Sequence, residues 1–284
     1  MVASLPLPTL EADTRASLSL LTDNALARCL GVRVAFSGRS GGTSVGPDGA
    51  FGSLNLGAHV GDDPACVTEN RQRLLRAFHA EADRLIVPTQ VHGTHVVYVQ
   101  KGAEAEGARE ATEAADGVAV APDVDDVAVL LCFADCVPLI MVSPTGAYAV
   151  SHAGWRGAYG GIAGNTVRLL AEHDVARGAF ASIAEAAAAY NVYRGPYIHR
   201  ECFETGEDVR AQFAERYGEG CTPDARHVDL GVALDVDLRR AGVLPERIAD
   251  ANACTVCNND HYFSYRGQHG VCGRHGALAL REHT

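Results

Sequence analysis

The chain has 284 residues, of which 47% are hydrophobic and 21% are charged, a composition typical of a folded protein with one large or two small domains. Its formal net charge is −11 and no stripe of clustered basic residues appears, which argues against binding to a nucleic-acid polymer. Lys101 is the only lysine, so enzymes that need a P-loop lysine or a Schiff-base lysine are excluded.

The cysteines and the N-terminal residues together indicate the compartment. Nine cysteines are scattered along the chain, and this odd number argues against a complete disulfide framework. The N-terminal segment has acidic residues and no basic stretch before an apolar run, so we do not expect a signal peptide. No apolar run reaches the roughly 20 residues that a membrane span needs. We therefore expect a cytoplasmic protein without a membrane partner.

The first third of the chain predicts an arm, a strand and a helix. Residues 1–24 are expected to form a loosely ordered N-terminal arm. The segment RVAFS (33–37) predicts a strand that leads into a long glycine-rich loop, whose spacing differs from that of a dinucleotide fingerprint. Asp62 or Asp63 can cap the helix that follows, and Pro64 suits its first turn.

The rest of the chain alternates strands and helices. Strands are predicted in LIVPTQVHG (85–93), HVVYVQ (95–100), GVAVA (117–121), VAVLLCF (127–133), VPLIMV (137–142) and AYAVSH (147–152). A long helix is expected from about 157 to 173, two amphipathic helices follow, and the last 30 or so residues are expected to be irregular. This order predicts an α/β (α+β) fold with mixed β-sheets flanked by helices, and a single domain over residues 25–284.

Two of these strands form a predicted hairpin that carries a cysteine and a histidine. If SPTG (143–146) is its turn, position 137 lies opposite His152, and a change of one residue in loop length would put Cys136 directly across from His152. In either register the two side chains meet at one edge of the sheet, where opposing Cβ atoms lie roughly 4.5–5.5 Å apart. The pattern alone leaves open a buried structural pair, a nucleophile with its base, or two metal ligands.

His92 is the best-placed third member of this site. It ends a predicted strand beside a glycine, whereas His95 is an odd number of residues further on and would face the other way. His79 and His173 lie on predicted amphipathic helices, where surface positions are expected. Asp135 directly precedes the hairpin cysteine and is positioned to orient a ligand or to transfer a proton.

Two cysteines near the C-terminal end have the spacing of half a zinc site. Cys254 and Cys257 form a CxxC motif, but no second CxxC or HxxxH motif follows at the spacing of a zinc finger. We do not expect a separate structural zinc site there.

With these residues in place, the sequence resembles the YfiH family, also called laccase-domain or polyphenol oxidase-type proteins, which are described as purine nucleoside phosphorylases. The resemblance begins near residue 33 and covers most of the chain. It is carried by FSGRSGGTSVGPDGAFGSLNLGAHVGDD with TENRQRL, and by PTQVHG, ADGVAV, ADCVPLIMV, SHAGWRG, CTVC and FSYRGQHGVCGRHGALAL.

The resemblance implies a metal site and an activity. His92, Cys136 and His152 match the family's metal ligands, and Zn²⁺ is expected rather than copper. The implied reaction is phosphorolysis of adenosine, inosine or methylthioadenosine to the free base and ribose 1-phosphate, with adenosine deamination as a companion activity. It also implies that the single domain is catalytic and that its fold is related to the catalytic domain of cytotoxic necrotizing factor toxins.

This chemistry needs further residues beyond the three ligands. A zinc-bound water can attack C6 of adenine if a nearby group shuttles the proton, and Asp135 is our candidate, with Cys136 as a second catalytic residue. Phosphorolysis needs a cationic pocket for phosphate. Arg39 and Asn55, in the glycine-rich loop, and Arg266, in FSYR, are the expected substrate-binding residues.

Three other interpretations compete. A metal-free cysteine hydrolase or deamidase would use Cys136 as nucleophile and His152 as base. A copper-dependent polyphenol oxidase fits the ligand set, but Met141 lies five residues along the strand, too far to be an axial ligand, and no HxH pair occurs. A binding protein without catalysis is the least specific alternative.

Overall fold

The computed structural model describes residues 4–80 and 84–281, which form helices and two β-sheets. The strands in this part of the chain are β1 (Glu11–Arg15), β2 (Leu18–Thr22), β3 (Val32–Ser37), β4 (Leu85–Ile86), β5 (Val96–Val99), β6 (Gly117–Val120), β7 (Ala128–Phe133), β8 (Val137–Val142), β9 (Tyr148–Ala153), β10 (Asn191–Arg194), β11 (Ile248–Asp250) and β12 (His275–Arg281). The helices are α1 (Asn24–Leu30), α2 (Pro64–Arg76), α3 (Glu104–Glu113), α4 (Trp155–Gly160), α5 (Ile162–Ala176), α6 (Ile183–Ala189), α7 (Glu207–Tyr217) and α8 (Leu230–Arg240).

Both sheets are mixed, as the sequence predicted. The first sheet has the order β1-β2-β3-β12-β7-β4, in which only the β7–β4 pair is parallel among the described strands. The second sheet has the order β11-β10-β8-β9-β6-β5, with parallel pairs at its two edges and antiparallel pairs between them. The α/β fold class with helices around mixed sheets is confirmed.

The two sheets pack face to face, because alternate residues of each strand point to opposite sides. In β3, Val34 and Phe36 pack against residues of the second sheet, while Ala35 points the other way, toward α2. In β8, Ile140 enters the same layer between the sheets, whereas Met141 packs among the helices. We call the layer between the sheets the inter-sheet core. The molecule is therefore four layers thick, with α2 outside the first sheet and α4–α8 outside the second.

The N-terminal residues differ from the prediction. Residues 1–24 were expected to be a loosely ordered arm, but β1 and β2 form an antiparallel hairpin within this range. β2 continues the first sheet by pairing with β3, and Leu18 and Leu20 are buried. The alternation of apolar residues in LSLLT is the physical reason, because it gives the strand one face to bury against the sheet. Residues 1–3 lie outside the described residues.

Three further elements differ from the sequence expectation. The long helix expected from 157 to 173 is two helices that meet at Gly161, whose φ of +87° is a left-handed conformation that favours glycine. The expected strand over 85–93 is only two residues long, which leaves His92 on a loop. The segment GALALRE, assigned to an irregular end, contains β12, which lies in the middle of the first sheet.

No helix in the described part of the chain is long and apolar enough to cross a membrane.

Candidate metal centre

The register of the β8–β9 hairpin puts a cysteine and a histidine on the same face of the second sheet. Pro138 pairs with His152, and the N–H of Ser143 donates to the carbonyl of Ala147, so the turn is one residue longer than the predicted SPTG. This register is one residue away from the expected one. Because side chains alternate, Cys136 and Pro138 share a face, and the cysteine therefore lies on the same side as His152, facing the inter-sheet core.

His92 is positioned by hydrogen bonds from its own loop to a buried carboxylate. The backbone N–H groups of Val91, His92 and Gly93 all donate to the side chain of Asp116, at 3.2, 2.9 and 2.6 Å. His92 has φ of +62°, a left-handed conformation that is uncommon outside glycine. The three donors compensate for that conformation and fix the loop on the end of β6.

The same carboxylate also orients His152. The Nδ1 atom of His152 lies 2.8 Å from Oδ1 of Asp116, and both side chains are buried. The backbone N–H of His152 donates to the carbonyl of Asp116 at 2.7 Å, because β6 and β9 are neighbours. With Nδ1 engaged by a carboxylate, Nε2 is the nitrogen left for a metal or a proton. Asp116 was missed by the sequence analysis, although it belongs to the ADGVAV motif.

The structure brings the three predicted ligands together. One donor atom from each of His92, Cys136 and His152 lies within 4.8 Å of the others. The two imidazole rings are 4.7 Å apart between centroids and nearly perpendicular, at 78°. A Cβ atom on Gly154 would lie 2.6 Å from Cδ2 of His92 and 3.2 Å from Sγ of Cys136. Glycine at this position is therefore required for the three side chains to converge.

The charges of His92, Cys136 and His152, which we call the triad, depend strongly on one another. Burial alone would raise the pKa of the Cys136 thiol, but charge interaction and hydrogen bonding with His152, and then with His92, outweigh it and lower the pKa to about 6. Burial disfavours the charged form of His152, but the Cys136 thiolate and the hydrogen bond to Asp116 raise its pKa to about 9. Without a metal, the geometry therefore favours a thiolate beside an imidazolium near neutral pH.

These residues fit a divalent metal. A thiolate with two imidazoles is a donor set that suits Zn²⁺ and leaves a fourth position for water or substrate. The lowered pKa of Cys136 supplies the thiolate, and Asp116 selects the Nδ1–H tautomer of His152, as carboxylates behind zinc-bound histidines do. The exposed His92 puts the cluster at the protein surface rather than deep in the core.

Asp135 is adjacent to the cluster in sequence but is engaged elsewhere. Its Oδ1 accepts a hydrogen bond from Thr255 at 2.6 Å, and its Oδ2 accepts one from the backbone N–H of Arg266 at 2.6 Å. Its φ is +83°, and its backbone carbonyl accepts from the N–H of Ile198. These bonds give Asp135 a structural role, which joins the cysteine-bearing strand to the C-terminal segment.

The predicted substrate-binding residues also have structural partners. Arg39 donates to the backbone carbonyls of Gly52 and Asn259, and its guanidinium lies over the Phe263 ring. Asn55 is completely buried, where its amide nitrogen donates to Asp62 and its oxygen accepts from backbone N–H groups. These contacts account for the side chains without any substrate.

Arg266 is exposed and donates to the carbonyl oxygens of Cys202 and Glu204 at 3.1 and 3.0 Å. Its guanidinium therefore connects two segments of the protein surface. The structure does not group this arginine with the triad.

One further basic side chain, His59, interacts by charge with the two triad histidines and with two arginines. The pKa of His59 is lowered by burial and then by the positive charges of Arg274 and Arg71, with smaller contributions from His152 and His92. His59 follows the glycine-rich loop, Arg71 is on α2 and Arg274 directly precedes β12. None of these residues was predicted as a site residue, although the motifs GAHVGDD and TENRQRL contain the first two.

A family model and several known proteins match most of this chain. Residues 33–282 match the family model described as multi-copper polyphenol oxidoreductase laccase. The chain is 34% identical over 247 residues to purine nucleoside phosphorylase YlmD of Geobacillus stearothermophilus, which covers 83% of this chain and 85% of the relative. It is 31% identical over 226 residues to adenosine deaminase RL5 from an unknown prokaryotic organism, covering 76% of this chain and 82% of the relative.

A solved structure extends the similarity to the fold. The crystal structure of YlmD from Geobacillus stearothermophilus superposes with a TM-score of 0.79 at 31% sequence identity, covering 96% of this chain and 99% of that chain. The overall fold of this chain has therefore already been observed in a solved structure.

Proposed function

The chain belongs to the YfiH family, and on that premise we propose that it is a zinc-dependent purine nucleoside phosphorylase with adenosine deaminase activity. Relatives named for both activities support an enzyme that acts on nucleosides. The observation that carries the proposal is the convergence of His92, Cys136 and His152 in front of the buried Asp116. This arrangement holds a metal at the protein surface, within reach of a small substrate.

In this proposal His92, Cys136 and His152 hold the zinc ion. When bound, zinc supplies a Lewis acid that lowers the pKa of a coordinated water to roughly 7. Asp116 keeps the His152 ring in the orientation and tautomer that expose Nε2. Gly154 leaves the space in which the ligand atoms meet.

The cationic pair Arg71 and Arg274, which acts on His59 by charge, is the proposed phosphate site. A chain with a net charge of −11 repels phosphate in general, so binding this substrate requires a local concentration of positive charge. His59 interacts by charge with Arg274 and Arg71 and, more weakly, with His152 and His92. Arginine pairs well with phosphate oxygens through two parallel N–H donors. We favour Arg71 and Arg274 over Arg39 and Arg266 because the charges of the first two act on His59, which also interacts with His152 and His92.

His59 is also the favoured proton shuttle. Its pKa is lowered from the ordinary value, first by burial and then by Arg274 and Arg71, so the ring is neutral at pH 7 and can accept a proton. Asp135 and Cys136 as catalytic residues stay predictions, and for Asp135 the hydrogen bonds to Thr255 and Arg266 favour a structural role.

A metal-free cysteine hydrolase is the second candidate, and one observation favours it. The Cys136 thiolate, His152 and Asp116 have the order of a nucleophile, a base and a carboxylate that orients the base. His92 has no part in that mechanism, whereas it completes a metal site. The copper oxidase interpretation receives no support from Met141, which is fully buried among the helices on the opposite face of β8.

The proposed function is tested by incubating the purified protein with adenosine, with and without inorganic phosphate, and separating the products. We expect adenine and ribose 1-phosphate only when phosphate is present, and inosine from deamination in both samples. Release of adenine without phosphate, or no turnover of adenosine by protein that contains zinc, would contradict the proposal.

Variants of α2 test the phosphate site in the same assay. Arg71→Gln should raise the KM for phosphate at least about tenfold while leaving adenosine deamination near the wild-type rate, since one charge-assisted pair is worth roughly 1.5–3 kcal/mol. Arg76→Gln is the matched control, because Arg76 lies on the same helix but pairs with Glu69 at the surface. An equal effect of both substitutions would remove Arg71 from the site.

A further inference from the structure

A second group of metal-ligating side chains lies outside the triad. Within the described residues, the Sγ atoms of Cys202, Cys254 and Cys257 all lie within 4.8 Å of one another, and Cys202 is 3.6 Å from Cys257. Cys202 lies 55 residues before Cys257, in the loop that follows β10. The third cysteine therefore precedes the CxxC motif in the chain, whereas the spacing of a zinc finger predicts further ligands after the motif.

A histidine lies in the same turn as Cys202, although its ring nitrogens are not among the atoms that converge within 4.8 Å. The N–H of Cys202 donates to the carbonyl of His199 at 3.0 Å, and the N–H of His199 donates to Sγ of Cys254 at 3.4 Å. Backbone N–H donation to sulfur is suited to a thiolate acceptor. The Nε2 atom of His199 is buried and has no hydrogen-bond partner among the residues described by the structure.

We propose that Cys202, Cys254 and Cys257 form a second, structural Zn²⁺ site, with the fourth position open to His199 or to water. Three thiolates with one imidazole is a common set of ligands for structural zinc, and soft sulfur donors select zinc over magnesium or calcium. Binding deprotonates the three thiols, and the released protons pass to solvent. The proposal does not depend on the function of the triad.

The position of this site suits a structural role, which is to hold an irregular segment against the triad. Residues 251–274 contain turns and one isolated backbone bridge, between Tyr197 and Cys254, but no helix or strand, so little regular backbone pairing holds this segment in place. A metal bound by all three thiols would join Cys254 and Cys257, which lie in this segment, to Cys202 in the loop after β10. Thr255, inside the CxxC motif, donates to Asp135, the neighbour of the triad cysteine. The second zinc ion would therefore fix the segment that packs against the triad.

A disulfide between Cys202 and Cys257 is the competing assignment. Their sulfur atoms are close, but the bond would leave Cys254 as a third thiol in the same group without a role. Three converging thiols correspond to a metal site, whereas a disulfide uses two.

The test is the zinc content of the full chain, purified under reducing conditions and dialysed, with zinc measured per protein by mass spectrometry. We expect two equivalents in the wild type, one in Cys257→Ser, one in Cys136→Ala and none in the double variant. Cys257 is exposed, so its replacement leaves the core intact. Cys29→Ser, at another exposed cysteine, is the matched control and should keep two equivalents.

A second measurement identifies the ligands. After exchange with Co²⁺ in the Cys136→Ala background, thiolate-to-cobalt charge-transfer absorption should appear and should be lost when Cys257→Ser is added. The proposal is overturned if Cys257→Ser keeps the second zinc equivalent. It is also overturned if the reduced wild-type chain holds no second equivalent, and an intact mass two hydrogens lower in a preparation without reductant would then identify a Cys202–Cys257 disulfide.

Discussion

Asp116 is the residue on which the candidate metal centre depends most. Its carboxylate accepts three backbone N–H groups from the His92 loop and the Nδ1–H of His152. Burial would raise its pKa, but these hydrogen bonds and the charge of His152 lower the pKa below the usual value, so the group is ionised. One buried negative charge thus positions two of the three ligands.

Replacing this carboxylate should weaken the metal centre without removing a ligand. We expect Asp116→Asn to lower zinc affinity at the triad by roughly 10- to 100-fold, the usual effect of losing a carboxylate behind a metal-bound histidine. Competition with a chelator of known affinity measures the change. Asp123→Asn, which breaks a surface ion pair with Arg177, is the control. A zinc affinity within about twofold of the wild type in Asp116→Asn would refute this role.

At the scale of elements, the β8–β9 hairpin and the turn after it determine where the ligands meet. β8 begins one residue after Cys136, and β9 ends one residue after His152. Gly154 then leads into α4 with φ of −64° and ψ of 163°, a conformation open to any residue. Its small size, rather than its backbone flexibility, is therefore what the site needs.

This distinction predicts a selective effect. Gly154→Ala should leave the fold intact but displace His92 or Cys136, because the added Cβ would lie 2.6 Å from the first and 3.2 Å from the second. We expect loss of zinc from the triad and at least a tenfold loss of nucleoside turnover, with a thermal unfolding midpoint close to that of the wild type. Gly220→Ala is the control, since its nearest neighbouring atom would be 4.0 Å away. Equal zinc content in the two variants would contradict the steric argument.

The hairpin also shows what the sequence could predict. The apolar segments VPLIMV and AYAVSH identified β8 and β9, and the family motifs identified all three ligands. The turn length was wrong by one residue, because SPTG gives no signal that the following alanine also belongs to the turn. The role of Asp116 depends on β6 pairing with β9, a long-range contact that local periodicity does not encode.

At the scale of the whole molecule, the two sheets bring distant segments to one site. Cys136 and His152 belong to the β8–β9 hairpin of the second sheet, whereas Arg274 directly precedes β12 of the first sheet and Arg71 lies on α2, which covers that sheet. β12 was missed because it follows an irregular segment and its apolar run is short. Without that strand in the middle of the first sheet, the basic residues could not be placed beside the triad. The single catalytic domain and the relation to necrotizing factor toxins stay predictions.

The most direct test of the account is a joint measurement of zinc content and nucleoside turnover in Cys136→Ala. Because the thiolate is one of three ligands, we expect this variant to hold one zinc equivalent fewer than the wild type and to lose both phosphorolysis and deamination of adenosine. Cys29→Ala should change neither quantity. If Cys136→Ala kept the wild-type zinc content, or turned over adenosine at the wild-type rate, the triad would not be the metal centre of this enzyme.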